Sequence, residues 1–89
     1  MSRWQVVVAI RLKAEILDPA GQAVGHVLQQ MGFDTIAQVR LGRLVDLEVE
    51  AEDREQAVAV AAEAARRLLA NPVLEVFAVT EAREVGGHR

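Results

Sequence analysis

Eighty-nine residues provide for one small domain and no second core. With 52% hydrophobic residues and a mean hydropathy of +0.15, the chain carries more apolar surface than so small a domain can hide, which predicts self-association or a permanent partner. A net charge of −3, an isoelectric point near 5.3 and only three aromatic residues argue against a nucleic-acid-binding surface.

Arg3 to Lys13 reads as a strand. Trp4, Val6, Val8, Ile10 and Leu12 share one face, while the other is apolar at its centre and charged at its ends. The junction Lys13 to Gly21 leads into a helix from Pro19 to Met31 and holds the only lysine of the chain. Asp18 is placed to accept from the unpaired amides of the first turn, and Pro19 has no amide to leave unpaired. Ala23, Val24, Val27, Leu28 and Met31 form an apolar stripe, and Gly32 supplies a left-handed stop. The opposite face, with Gln22, Gly25, His26 and Gln29, is polar yet uncharged, which suits either a subunit contact or plain solvent exposure.

In Ile36 to Glu50 the odd positions Ala37, Val39, Leu41, Val45, Leu47 and Val49 stay on one face, broken only by Arg43. A two-residue turn at Gly42-Arg43 would set Val39 opposite Asp46 and Ala37 opposite Glu48, mixing core with charge. One long strand bent at Gly42 keeps the phase and is the preferred reading, with a split into two strands as the alternative. Asp53 to Ala70 is the clearest helix. Asp53 and Gln56 form a capping box, Ala57, Val58, Ala61, Ala65, Leu68 and Leu69 form its buried stripe, and Glu63 pairs with Arg67 for about 0.3–0.5 kcal/mol. Asn71-Pro72 ends that helix. Val73 to Thr80 is apolar on both faces except for Glu75 and Thr80, which predicts a central or doubly covered strand.

These elements predict an α+β two-layer sandwich, βαβαβ (βαββαβ if the middle strand splits), with both helices on one face of an antiparallel or mixed sheet. Residues 1–81 form the single domain, and residues 82–89 are expected to fray as a C-terminal tail.

Side chains fit for chemistry are scarce. Ser2, Thr35 and Thr80 are the only hydroxyls and none has a base nearby in sequence; His26 and His88 are far apart. No catalytic, cofactor-binding or metal-binding set emerges. Asp46, Glu48 and Glu50 line one strand face and read as a solvated ridge. Zero cysteines rule out disulfides and thiolate sites and fit a cytoplasmic protein. No apolar run is long enough for a membrane span and no signal-peptide pattern is present.

Lys13, Ile16-Leu17-Asp18-Pro19, Gly21, Ala23-Val24, Val39-Arg40, Gly42-Arg43 and Leu68-Leu69-Ala70-Asn71-Pro72-Val73 together resemble the PurS family. These are the small subunits of phosphoribosylformylglycinamidine (FGAM) synthase in purine biosynthesis. The spacing agrees from Val6 to Phe77. Ala20 stands where the family usually has glutamine, Arg43 where lysine is common and Phe77 where tyrosine is frequent.

The resemblance implies one subunit of an ATP-dependent ligase of the glutamine amidotransferase type. A glutaminase subunit releases ammonia, and a large synthetase subunit uses ATP and magnesium to convert formylglycinamide ribonucleotide to formylglycinamidine ribonucleotide. The small subunit is implied to be non-catalytic and without a cofactor. It forms a homodimer or dimer of dimers that bridges the other two subunits and supports ammonia transfer, with no nucleic-acid or membrane partner. Candidate partner contacts are Lys13, Asp18, Pro19, Gly21, Arg40 and Arg43. Gly42, Asn71 and Pro72 are structural junctions. Asp18, Pro19 and Gly21 also have capping and turn roles, whereas Lys13, Arg40 and Arg43 have less structural reason to be where they are. The alternative function is a small dimeric regulatory module that binds an amino acid or nucleotide.

Overall fold

Strands and helices alternate as the apolar periodicities require. The computed structural model describes residues 1–86: β1 (Ser2–Leu12), α1 (Pro19–Gln30), β2 (Gly42–Ala51), α2 (Arg54–Ala64), one π-helical turn (Ala65–Leu69) and β3 (Glu75–Gly86). The strands form one antiparallel sheet in the order β2-β1-β3. Fold class and element order agree with the sequence; the layering does not.

β1, not the last strand, is central. Val6, Val8 and Ile10 are fully buried, with Leu47 and Val45 beside the first two on β2 and Ala82, Val79 and Phe77 beside the three on β3. Val7 and Ala9, on the opposite face, are half-buried, and Val76 and Ala78 of β3 are exposed. The two-sided apolar pattern of β3 therefore marks an edge strand with a bare outer face.

α2 covers the core face by itself. Asp53 accepts from the Gln56 amide at 2.8 Å, while the Gln56 side chain accepts from the Glu52 amide at 2.6 Å, one residue earlier than in the usual capping box. Ala57, Ala61 and Ala65, four residues apart, are fully buried, and with no side chain beyond Cβ they let α2 approach all three strands. The helix then widens: the Ala70 amide bonds the Ala65 carbonyl at 2.9 Å, five residues back. That turn carries Leu68 out of the expected stripe to 83% exposure and leaves Leu69 half-buried. Glu63 meets both Arg66 and Arg67.

α1 does not join α2 on the sheet. It starts at Asp18-Pro19 and stops at Gly32, where φ is +99° and the Phe33 amide bonds the Leu28 carbonyl at 3.0 Å. Its packed side meets the segment 36–41 through Gly21 and Gly25. Because α1 lies outside the footprint of the sheet, the molecule measures 53 × 28 × 14 Å. Its radius of gyration is 16.7 Å. A compact chain of this length would have about 12 Å.

The segment Ile36–Leu41 is neither a hairpin arm nor the first half of a bent strand. The Leu41 amide is taken by the Asp18 carboxylate, and the Val39 carbonyl lies against Gly21, so neither is available to a ladder. Pairing begins at Gly42, where a Cβ would stand 2.6 Å from the Ile10 carbonyl oxygen.

The last strand also has other ends than expected. It begins at Glu75 rather than Val73, because Asn71 folds the chain into a turn: its side chain accepts from the Val73 amide at 2.9 Å, and its carbonyl accepts from the Glu75 amide at 2.7 Å. Residues 82–86 do not fray. The ladder holds them, pairing Trp4 with Glu84 and Arg3 with Gly86, and Arg83 donates to the Gln5 side chain at 2.7 Å. The rest of the expected tail, with His88, lies outside the described residues.

Ile10→Ala should cost about 2–5 kcal/mol and Ala61→Leu, which overfills the α2 seam, about 1–3 kcal/mol. Leu68→Ala should stay within about 0.5 kcal/mol, because the π-helical turn leaves that side chain in solvent. Urea unfolding of the three variants measures all of this.

Candidate functional site

The residues singled out in the sequence converge where β1 ends, α1 begins and β2 starts. β1 closes with the Lys13 amide on the Leu74 carbonyl at 2.9 Å, and the Ile16 amide returns to the Lys13 carbonyl at 2.9 Å. The chain then reaches Asp18, which is buried. One carboxylate oxygen accepts from the Gly21 amide at 3.0 Å and the other from the Leu41 amide at 2.7 Å. A single side chain thus caps α1 and clamps the returning segment to it.

Gly21 is part of the same clasp. A Cβ there would lie 2.5 Å from the Val39 carbonyl oxygen and 2.6 Å from the Asp18 carboxylate, so only glycine admits this approach. Arg40 closes the other side, donating to the Lys13 carbonyl at 2.9 Å and the Leu12 carbonyl at 3.4 Å. The Gly21 amide, then the Leu41 amide and more weakly the Arg40 charge hold the Asp18 carboxyl below its ordinary range, against an opposing contribution from burial.

A second node holds the far side of the junction. Arg43 donates to both carboxylate oxygens of Glu75, at 2.7 and 2.8 Å, and to the Leu69 carbonyl at 3.3 Å. Glu75 also accepts from the Asn71 amide at 2.8 Å. The Arg43 hydrogen bond, then the Asn71 amide, hold the Glu75 carboxyl below its ordinary range despite partial desolvation. Arg43 therefore ties the start of β2 to the end of the π-helical turn and the start of β3.

Arg40 and Arg43 consequently have structural duties that sequence reasoning did not assign to them. Of the three cationic candidates, Lys13 alone has a side chain that makes no hydrogen bond or ion pair among the described residues. Glu75 was missed. Its signal was a lone acid opening an otherwise apolar strand, within reach of the Asn71-Pro72 turn.

The uncharged face of α1 lines a cleft of about 350 Å³ against residues 36–40, with Gln22, His26, Gln29, Gln38 and Arg40 on its walls. Gln29 reaches the Ile36 carbonyl at 3.5 Å, and His26 lies 3.4 Å from the Gln30 amide nitrogen. On β2, Asp46 and Glu48 stand beside Val7 and Gln5, and Glu50 pairs with Arg3 at 3.4 Å. Among the described residues, no three His, Cys, Asp or Glu side chains cluster as metal ligands would, and no helix is long and apolar enough to cross a membrane.

Both nodes predict acid sensitivity. Asp18 and Glu75 have lower carboxyl pKa values folded than unfolded, so their contribution is fully present above the unfolded value near ~4 and is lost as pH falls through the folded one. Thermal midpoints should be level above about pH 5 and fall steeply below about pH 4. In Asp18→Asn the midpoint should drop by several degrees near neutral pH, because an amide presents one acceptor to two donors, and the acid slope should flatten.

Comparison with known proteins identifies the chain. The family model PurS, phosphoribosylformylglycinamidine (FGAM) synthase, matches residues 5–83. The Bacillus subtilis phosphoribosylformylglycinamidine synthase subunit PurS is 40% identical over 74 residues, covering 83% of this chain and 87% of the relative. Thermus thermophilus PurS superposes with a TM-score of 0.80 at 38% identity, covering 93% of this chain and 98% of the other. A chain in the structure of PurLQS from Thermotoga maritima gives a TM-score of 0.80 at 32% identity, with 96% and 100% covered. The match over residues 5–83, together with relatives that are covered nearly end to end, means that this chain belongs to the PurS family of FGAM synthase subunits.

Proposed function

We propose that this chain is the non-catalytic assembly subunit of FGAM synthase, bridging the glutaminase and the ATP-dependent synthetase so that ammonia passes from one to the other without loss to water. FGAM synthase is a ligase of purine biosynthesis, and PurS chains are among its subunits. ATP and magnesium are assigned to the synthetase subunit, which converts formylglycinamide ribonucleotide to formylglycinamidine ribonucleotide. The chain acts in the cytoplasm as a homodimer or pair of dimers, with no nucleic-acid or membrane partner.

The observation that carries this reading is the apolar surface left bare on an extended protomer. The radius of gyration of 16.7 Å exceeds that of a compact chain by about 40%. Val27, Met31, Leu44, Val73 and Val76 are exposed, on α1, on the open face of the sheet and beside the Asn71-Pro72 turn. A protein with one covered face and several uncovered ones is built to be covered by others. Its contribution to catalysis is containment and alignment of two active sites, which act through proximity rather than through any group of its own.

Lys13 is the cleanest probe of partner contact at the junction. Lys13→Ala, reconstituted with the glutaminase and synthetase subunits, should lower glutamine-dependent synthesis by about tenfold or more, leaving ammonia-dependent synthesis and the thermal midpoint unchanged. Equal glutamine-dependent turnover would remove Lys13 from the contact set. Arg43→Ala should lower the thermal midpoint as well, because Glu75 and the Leu69 carbonyl lose their shared donor.

A further inference from the structure

We propose that the hollow between Arg11 and Arg40, at the Gly42 end of the open sheet face, is an anion site that takes a phosphate group. It is separate from the assembly role and needs no other subunit to be occupied.

Charge selects the ligand. Arg11 and Arg40 line a hollow of about 210 Å³ together with Ala9, Gly42 and Leu44. On a chain of net charge −3, the cations Arg11, Lys13, Arg40 and Arg43 gather where β1 ends and β2 begins. The carboxylates bonded there are already taken: Glu75 holds Arg43, and Asp18 accepts the Gly21 and Leu41 amides. Arg11 is exposed, and its side chain makes no hydrogen bond or ion pair among the described residues. Arg40 bonds the Leu12 and Lys13 carbonyls through Nη2 alone, so Nε and Nη1 keep their protons for a ligand.

Shape selects phosphate. Arg11 comes from β1 and Arg40 from the segment before β2, so an anion in the hollow meets guanidinium groups from two segments. A carboxylate is satisfied along one edge by one such fork, whereas a phosphate has oxygens for both. Gly42 makes the room. It sits beside Arg11 in the ladder, and a Cβ there would stand 3.3 Å from the Arg11 Cβ and 2.6 Å from the Ile10 carbonyl oxygen. Ala9 and Leu44, the latter 70% exposed, give the hollow an apolar wall on which the organic part of a phosphate ester can rest.

NMR titration of the isotope-labelled full chain at constant ionic strength, with inorganic phosphate, phenyl phosphate and acetate in turn, tests the site. Both phosphates should shift the Gly42 amide and the Arg11 and Arg40 Nε–H signals, and acetate should bind about tenfold or more weakly. Tighter binding of phenyl phosphate assigns the site to phosphate esters through the Ala9–Leu44 wall; tighter binding of inorganic phosphate assigns it to the free ion. Arg11→Gln should raise the dissociation constant for phosphate about tenfold or more. Leu44→Asp, which sets a like charge at the mouth of the hollow, should abolish binding. Arg11 and Leu44 are exposed, so both variants should fold. Arg83→Gln, beside Gln5 at the far end of the same face, should leave the constant unchanged. Acetate binding as tightly as phosphate, shifts spread over the surface arginines rather than gathered at this hollow, or an unchanged constant in Arg11→Gln overturns the proposal, with the assembly role left standing.

Discussion

A three-stranded sheet offers this chain one face to bury, and α2 alone covers it through Ala57, Ala61 and Ala65. The rest of the architecture follows from that single-sided core. The space over Val6, Val8 and Ile10 is filled by a helix of small residues, so α1 is left beyond the sheet with an apolar stripe and nothing of its own to cover. Val7, Ala9, Leu44, Val76 and Ala78 form an apolar patch, bare or half-bare, on the opposite sheet face, beside the charged Asp46, Glu48 and Glu81. A 52% hydrophobic chain thus folds without spending much of its apolar surface, and what remains is displayed on an extended frame.

Such a frame needs a rigid attachment for α1, and the Asp18 clasp provides it. Two backbone amides from different segments converge on one carboxylate, Gly21 removes the Cβ that would block them, and Arg40 returns to the carbonyls at the end of β1. A neutral side chain could not accept equally from both amides, and a residue larger than glycine could not let Val39 approach. The Arg43–Glu75 node does the same for the other end of the sheet, where the π-helical turn and the Asn71-Pro72 turn meet β2. Asp18, Gly21, Arg40 and Arg43 are therefore the joints that set where the exposed apolar surfaces point.

Much of this was legible in the sequence where local physics decides. The Asp18-Pro19 start, the Gly32 stop, the Asp53 cap and the period-two face of β1 are determined by nearby residues, and each is found in place. Illegible features depend on residues distant in sequence. Nothing in Ile36–Leu41 reveals that Asp18 will take the Leu41 amide, so its alternation read as strand. Leu68 fits a helical stripe until the helix widens to five-residue spacing. β3 looks central because its outer face is apolar, a pattern that a bare strand face shares with a buried one. The α1 stripe read as core for the same reason: periodicity reports that a face must be covered, not by what.

Assembly is the claim on which the functional account stands, and sedimentation velocity on the purified chain mixed with the glutaminase and synthetase subunits addresses it most directly. The account predicts that the chain joins a single faster species with both subunits and shows no synthetic turnover when alone. A chain that sediments apart from both, or that makes formylglycinamidine ribonucleotide by itself, would contradict it.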